Sequence, residues 1–78
     1  MKEAYIRYDA EKDTVYFCYP DGSSISLNSS DFFYVWTDGT WKWTKLCWSE
    51  NRGWYLDAVP EINPQTGEKI KVAVDDLF

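Results

Sequence analysis

Histidine is absent from the 78 residues. That removes the commonest general base, the Ser-His and Cys-His nucleophile pairs, and every metal site built on imidazole. No run of about 18 apolar residues occurs, which excludes a membrane-spanning helix. The start, MKEAYIRYDAEKD, is polar and has no apolar stretch of the signal-peptide kind, so a cytoplasmic location is expected. Cysteine is confined to Cys18 and Cys47, a pair that fits no zinc spacing. Thiols stay reduced in the cytosol. Both sit in apolar-aromatic runs, YFCYP and KLCWS, and are predicted to pack as small buried hydrophobes.

Motifs of catalysis are also missing. The chain has no phosphate-binding loop, no G-x-S-x-G, no C-x-x-C and no H-E-x-x-H. Asp9, Glu11 and Asp13 are spaced like calcium ligands, but the Gly and closing Glu of a calcium loop are not there, so a solvated turn is expected. Paired carboxylates of the glycosidase kind need a cleft, for which so short a chain has little room. Asn28-Ser29-Ser30 matches a glycosylation sequon, without meaning in a cytosolic protein. A non-enzyme with no cofactor and no metal is the expectation.

Basic residues are few: eight against thirteen acidic ones, a net charge of −5 and a pI near 4.4. Duplex nucleic acid is held mainly by neutralising phosphates, so this balance argues against a generic DNA or RNA binder. The charge is uneven, however. Residues 39–56 carry Lys42, Lys45 and Arg52 against Glu50 alone, a local surplus of positive charge between two acidic flanks.

What the chain has in excess is aromatic side chains: five Trp, six Tyr and four Phe, 19% of all residues. Runs rich in Tyr, Trp, Val, Ile and Thr alternate with Gly, Pro, Asp and Asn clusters roughly every 8–12 residues, the punctuation of an all-β protein. No window shows the i, i+3, i+4, i+7 pattern of an amphipathic helix. Strands are predicted over 3–8, 14–19, 23–28, 32–37, 40–48, 53–57 and 69–74, within a single domain spanning 1–78 whose last residues, 75–78, form a frayed tail. Laid flat, such strands would leave two long edges. Curling into a small antiparallel barrel or roll of five to seven strands, SH3-like in architecture, hides most of them.

Three turns carry a mechanism. Pro20-Asp21-Gly22 closes a hairpin, Asn63-Pro64-Gln65-Thr66-Gly67 feeds the last strand, and Asp38-Gly39 is a two-residue type I′ signal. In the last strand Ile70, Val72 and Val74 face one way, with Lys69 and Lys71 guarding the open face or edge. The Asp38-Gly39 loop dictates a register: Thr37 opposite Thr40, Trp36 opposite Trp41, Val35 opposite Lys42, Tyr34 opposite Trp43. Tyr34, Trp36, Trp41 and Trp43 then share one side, and Phe33, Val35, Thr37, Thr40, Lys42 and Thr44 the other. Trp48 has the opposite parity from Trp41 and Trp43, so either a bulge near Lys42-Trp43 shifts the phase or one ring set faces solvent. Each buried ring removes about 150–250 Å² from water. A disulfide-free domain this small is therefore expected to spend most of its rings on its core, leaving those four as the surplus.

The segment SSDFFYVWTDGTWKWTKLCWSENRGWYLD resembles the centre of domain-of-unknown-function family 5348, short proteins of plasmids, phages and conjugative elements in Gram-positive gut bacteria. The matching positions are Asp31, Phe33 to Val35, Gly39, Trp41, Thr44, Lys45, Leu46, Trp54-Tyr55-Leu56 and Gly67 through Val72. Ser30-Asp31 stands where the family has Gly-Glu, and Lys45 where it has Arg. The resemblance implies a bacterial mobile-element setting and no activity. A weaker resemblance links AYIRYDAEKD and the Trp-rich hairpin to SH3 domains, whose closing P-x-N-Y-V stretch is absent.

The functional expectation is a protein- or peptide-binding module. Tyr34, Trp36, Trp41 and Trp43 would be its apolar anchors, and Lys42, Lys45 and Arg52 its rim. Single-stranded nucleic acid stacking on the same rings is the alternative partner. A third possibility is an acidic decoy or inhibitor of a host nucleic-acid-binding protein, which would require the carboxylates of 9–13, 57–68 and 75–76 to gather on one face. No membrane partner is expected.

Overall fold

Turn chemistry sets the element boundaries of the computed structural model, which describes residues 1–74. The frayed tail expected at 75–78 lies outside the described residues. Seven strands follow one another: β1 (Lys2–Asp9), β2 (Thr14–Cys18), β3 (Ser24–Ser26), β4 (Phe32–Thr37), β5 (Thr40–Ser49), β6 (Gly53–Leu56) and β7 (Ile70–Val74). Asp38 and Gly39 both have positive φ, 53° and 76°, as a type I′ loop demands. The β4–β5 register is the one dictated by that loop, unbroken from Phe32 opposite Lys45 to Thr37 opposite Thr40.

All pairings are antiparallel, in the order β3-β2-β1-β7-β4-β5-β6. The architecture is an all-β roll, with no helix among the described residues. It does not close into a barrel, because β3 and β6 remain edges. β5 makes the corner: its first six residues pair with β4 and its last four with β6. The last strand, β7, inserts between β1 and β4. Lys71 therefore guards an outer face, not an edge.

The concave side holds the core. Ala4, Ile6, Val15, Phe17, Phe33, Val35, Leu46, Leu56, Ile70 and Val72 come from six strands, and Val59 closes the mouth from the loop after β6. Thr44 is the one buried polar residue of the described set, and its Oγ accepts the Ala58 N–H at 3.1 Å. Only two aromatic residues of the described chain, Phe17 and Phe33, are buried. The expectation that most rings fill the core is thus overturned. The interior of so small a roll is narrow, and β-branched and Leu side chains fill it; Tyr8, Tyr19 and Trp54 pack half-buried against its rim, and the rings of the β4–β5 hairpin are left on the convex side.

The two cysteines are corrected as well. Cys18 and Cys47 are free, half-buried, and in phase with the outward residues of β2 and β5.

The β1–β2 turn is tied across the roll. Asp13 Oδ1 accepts the Tyr8 hydroxyl at 2.7 Å and the Trp54 indole N–H at 3.2 Å. Asp9 Oδ1 accepts the Glu11 backbone N–H. These carboxylates thus serve turn and tertiary bonds. The hydrogen bond to Asp13, with the charges of Asp13 and Asp9 nearby, raises the Tyr8 phenol above its ordinary value. A raised folded-state value means this contribution to stability is whole below about pH 10 and is lost as pH climbs through the folded value. Ultraviolet titration should show one late-ionising phenol that disappears in Tyr8→Phe. A Tyr8→Phe titration that keeps the late component contradicts the bond.

Candidate functional site: an aromatic outer face

Alternation places Phe32, Tyr34 and Trp36 of β4 and Trp41 and Trp43 of β5 on the convex side. No bulge intervenes, since both ladders of β5 run without a skipped residue. The solvent-facing alternative is the one realised: Trp36 is 43% exposed, Trp43 48% and Phe32 53%. Trp48 keeps the phase of Thr44 and Leu46 but lies beyond the core, 46% exposed.

The rings pack in two neighbouring groups along the hairpin. Phe32 stacks on Trp43 with centroids 5.6 Å apart and planes 11° apart. Tyr34 meets Trp43 at 4.7 Å in a tilted contact, and Trp36 meets Trp41 edge-on at 5.1 Å. Such cross-strand ring pairs hold one another in place before any partner arrives. Beneath them, Ala73 of β7 is covered completely, although it points to the same side as Lys71.

Cations gather on this face. The register places Lys71 across from Trp36, and its ammonium lies 5.6 Å from the Trp36 ring centre and 5.8 Å from that of Trp41. Lys71 also pairs with Glu3 at 2.9 Å. Lys69 lies 5.8 Å from the ring centre of Tyr5, itself 40% exposed. Arg7 and Lys45 share the outward phase of their strands. Against them on these strands stand Glu3 and, at the end of β1, Asp9. A protein of net charge −5 therefore turns a surplus of positive charge outward beside its rings.

The residues singled out from the sequence divide. Tyr34, Trp36, Trp41 and Trp43 come together as a set, and Lys45 shares their side opposite Phe32. Lys42 is exposed but lies on the other side of the sheet, in phase with Val35 and Thr44. Arg52 stacks 4.2 Å above the Tyr55 ring and donates to the Pro60 carbonyl at 3.3 Å, so its contacts lie on β6 and in the loop after it. Phe32 and Lys71 were missed. Phe32 was legible, one alternation step before Tyr34. Lys71 was not, because no local signal places β7 next to β4.

A groove of about 750 Å³ opens at one end of the roll. Phe32 and Trp43 form one wall, Phe17, Tyr19, Ile25 and Leu27 the other, with Lys2 and Asp31 at its polar positions. The ring ladder thus runs on into a concave, mainly apolar site.

Compared with family models, curated proteins and solved structures, the chain finds no match. No helix among the described residues is long and apolar enough to cross a membrane.

Proposed function

We propose that this protein is a non-enzymatic binding module whose outer aromatic face takes a protein or peptide partner. The observation that carries the reading is a pre-packed set of outer rings in which Phe32, Trp36 and Trp43 are exposed and Tyr34 and Trp41 half-buried among them. Large rigid rings give contact area at low entropic cost, which is why they anchor interfaces. Rings not needed for the core are left for this role. The resemblance to a family of mobile-element proteins suggests a bacterial cytoplasmic setting.

The test is capture from extract by the immobilised protein, followed by titration of the retained partner. Trp41→Ala and Trp43→Ala should each weaken binding about tenfold or more while circular dichroism stays native. If both variants unfold, the rings are structural and the reading fails.

A second reading, single-stranded nucleic acid stacking on the same rings, is favoured by one observation: Arg7, Lys45, Lys69 and Lys71 lie on the ring face of an acidic protein. Titration of labelled oligonucleotides at low salt decides it. No saturable signal below about 100 μM removes it.

A further inference from the structure

The two edges of the sheet differ. At β6 the chain itself takes an outward donor: the Trp54 N–H donates to Gln65 Oε1 at 2.6 Å, and beside it Arg52 reaches across to Pro60. At β3, the bonds from Tyr19 N–H to the Ser23 carbonyl and from Leu27 N–H to the Val15 carbonyl fix which residues face β2. Antiparallel strands alternate, so Ile25 turns its backbone groups to Phe17, while Ser24 and Ser26 turn theirs outward. Among the described residues nothing pairs with those outward groups. The free stretch ends one step further, where the Asn28 N–H donates to Asp31 Oδ2 at 2.7 Å.

Alongside this edge lies the apolar groove. Ile25, 54% exposed, projects into it from β3, and Phe32 and Trp43 face it from the ring ladder. The groove holds one carboxylate, Asp31, whose Oδ2 accepts the Asn28 N–H, and one cation, Lys2, whose ammonium sits 4.3 Å from the Tyr19 ring centre. A free backbone edge, an apolar trough for alternate side chains and one cation describe a site for an extended chain.

We infer that β3 accepts an extended segment of a partner polypeptide as an eighth strand, its backbone paired with Ser24 and Ser26, its apolar side chains in the groove, and a carboxylate toward Lys2. This rests on the peptide-binding reading above and specifies how the partner enters. Main-chain pairing supplies affinity in such additions and the groove supplies selectivity. Continuity of the groove with Phe32 and Trp43 lets one partner touch both surfaces.

The probe is a set of blocked hexapeptides alternating Phe or Val with Thr, with and without a terminal Glu. Saturation should slow amide exchange at Ser24 and Ser26 about tenfold, and the Glu-bearing peptides should bind more tightly at low salt. Methylating the peptide nitrogens of the pairing register should abolish binding, whereas methylating the alternate ones should not. Ser26→Pro removes a donor the fold does not use, at an edge where proline is tolerated; it should weaken binding about tenfold with unchanged circular dichroism. Unprotected Ser24 and Ser26 amides, full binding by Ser26→Pro, or self-association through β3 would each overturn the inference. Trp41→Ala separates the two levels. A variant pair in which Trp41→Ala weakens binding and Ser26→Pro does not leaves the ring face standing and removes strand addition; the reverse pattern removes the ring face.

Discussion

Phe33→Ala should cost about 3–5 kcal/mol, the range for emptying a fully buried aromatic site. Phe33 is wholly inaccessible, meets Phe17 edge-on at 5.1 Å with planes 88° apart, and sits opposite the buried Thr44 in the β4–β5 ladder. Its neighbours are held by strands on both sides of β4, so the void cannot collapse. A domain of this length has about 4–12 kcal/mol in total. The variant is therefore marginal at room temperature, with its midpoint lowered by roughly 15–30 °C. Urea unfolding followed by tryptophan fluorescence measures it, with the slope unchanged if only the native state suffers. Trp43, nearly half exposed, is the comparison, and Trp43→Ala should cost clearly less. A Phe33→Ala loss below about 1.5 kcal/mol would mean that the core is not where the burial pattern puts it.

Gly53→Ala is expected to cost about 2–3 kcal/mol, from two sources. Gly53 opens β6 at φ 71°, a left-handed conformation that a Cβ disfavours by roughly 1–2 kcal/mol. An added Cβ would also collide with the Gln65 side-chain oxygen, the acceptor that satisfies the Trp54 N–H. Moving Gln65 aside forfeits a bond worth about 1 kcal/mol. Gly39→Ala isolates the first contribution, since its φ is similar and nothing lies within reach of its Cβ. Gln65→Ala isolates the second. Denaturation of the three variants, with hydrogen exchange at the Trp54 amide, completes the comparison. Equal losses for Gly53→Ala and Gly39→Ala would show that Gln65 yields freely and that the β6 edge is not locked by it.

The two edges then have different fates for a physical reason. Gln65 comes from the long return between β6 and β7, which crosses the mouth of the roll and leaves Val59 and Pro64 buried there. Among the described residues nothing comparable crosses β3, because the crossover after it leaves the edge at Asn28 and reaches β5, where Ser30 N–H bonds the Leu46 carbonyl at 2.7 Å. One edge has its Trp54 donor taken by the chain itself. The other, among the described residues, is open beside an apolar groove.

Much of this was legible in the sequence. Seven strands fall where alternation and turn residues put them, and a two-residue Asp38-Gly39 loop with positive φ on both residues permits one register. Period-two alternation sorts Phe33 and Val35 from Tyr34 and Trp36 without any structure. It does not label which set is inside, because both are apolar. That was decided by curvature: once seven short strands roll up, the concave side closes over Ile, Val, Leu and two Phe, with Tyr8, Tyr19 and Trp54 half-buried at its rim, and the bulky rings of the β4–β5 hairpin remain on the convex side. The position of β7 was also decided only in three dimensions. Its pairing with β4 joins residues far apart in the chain, which no local pattern encodes, and it is this pairing that sets Lys71 against Trp36 and Trp41.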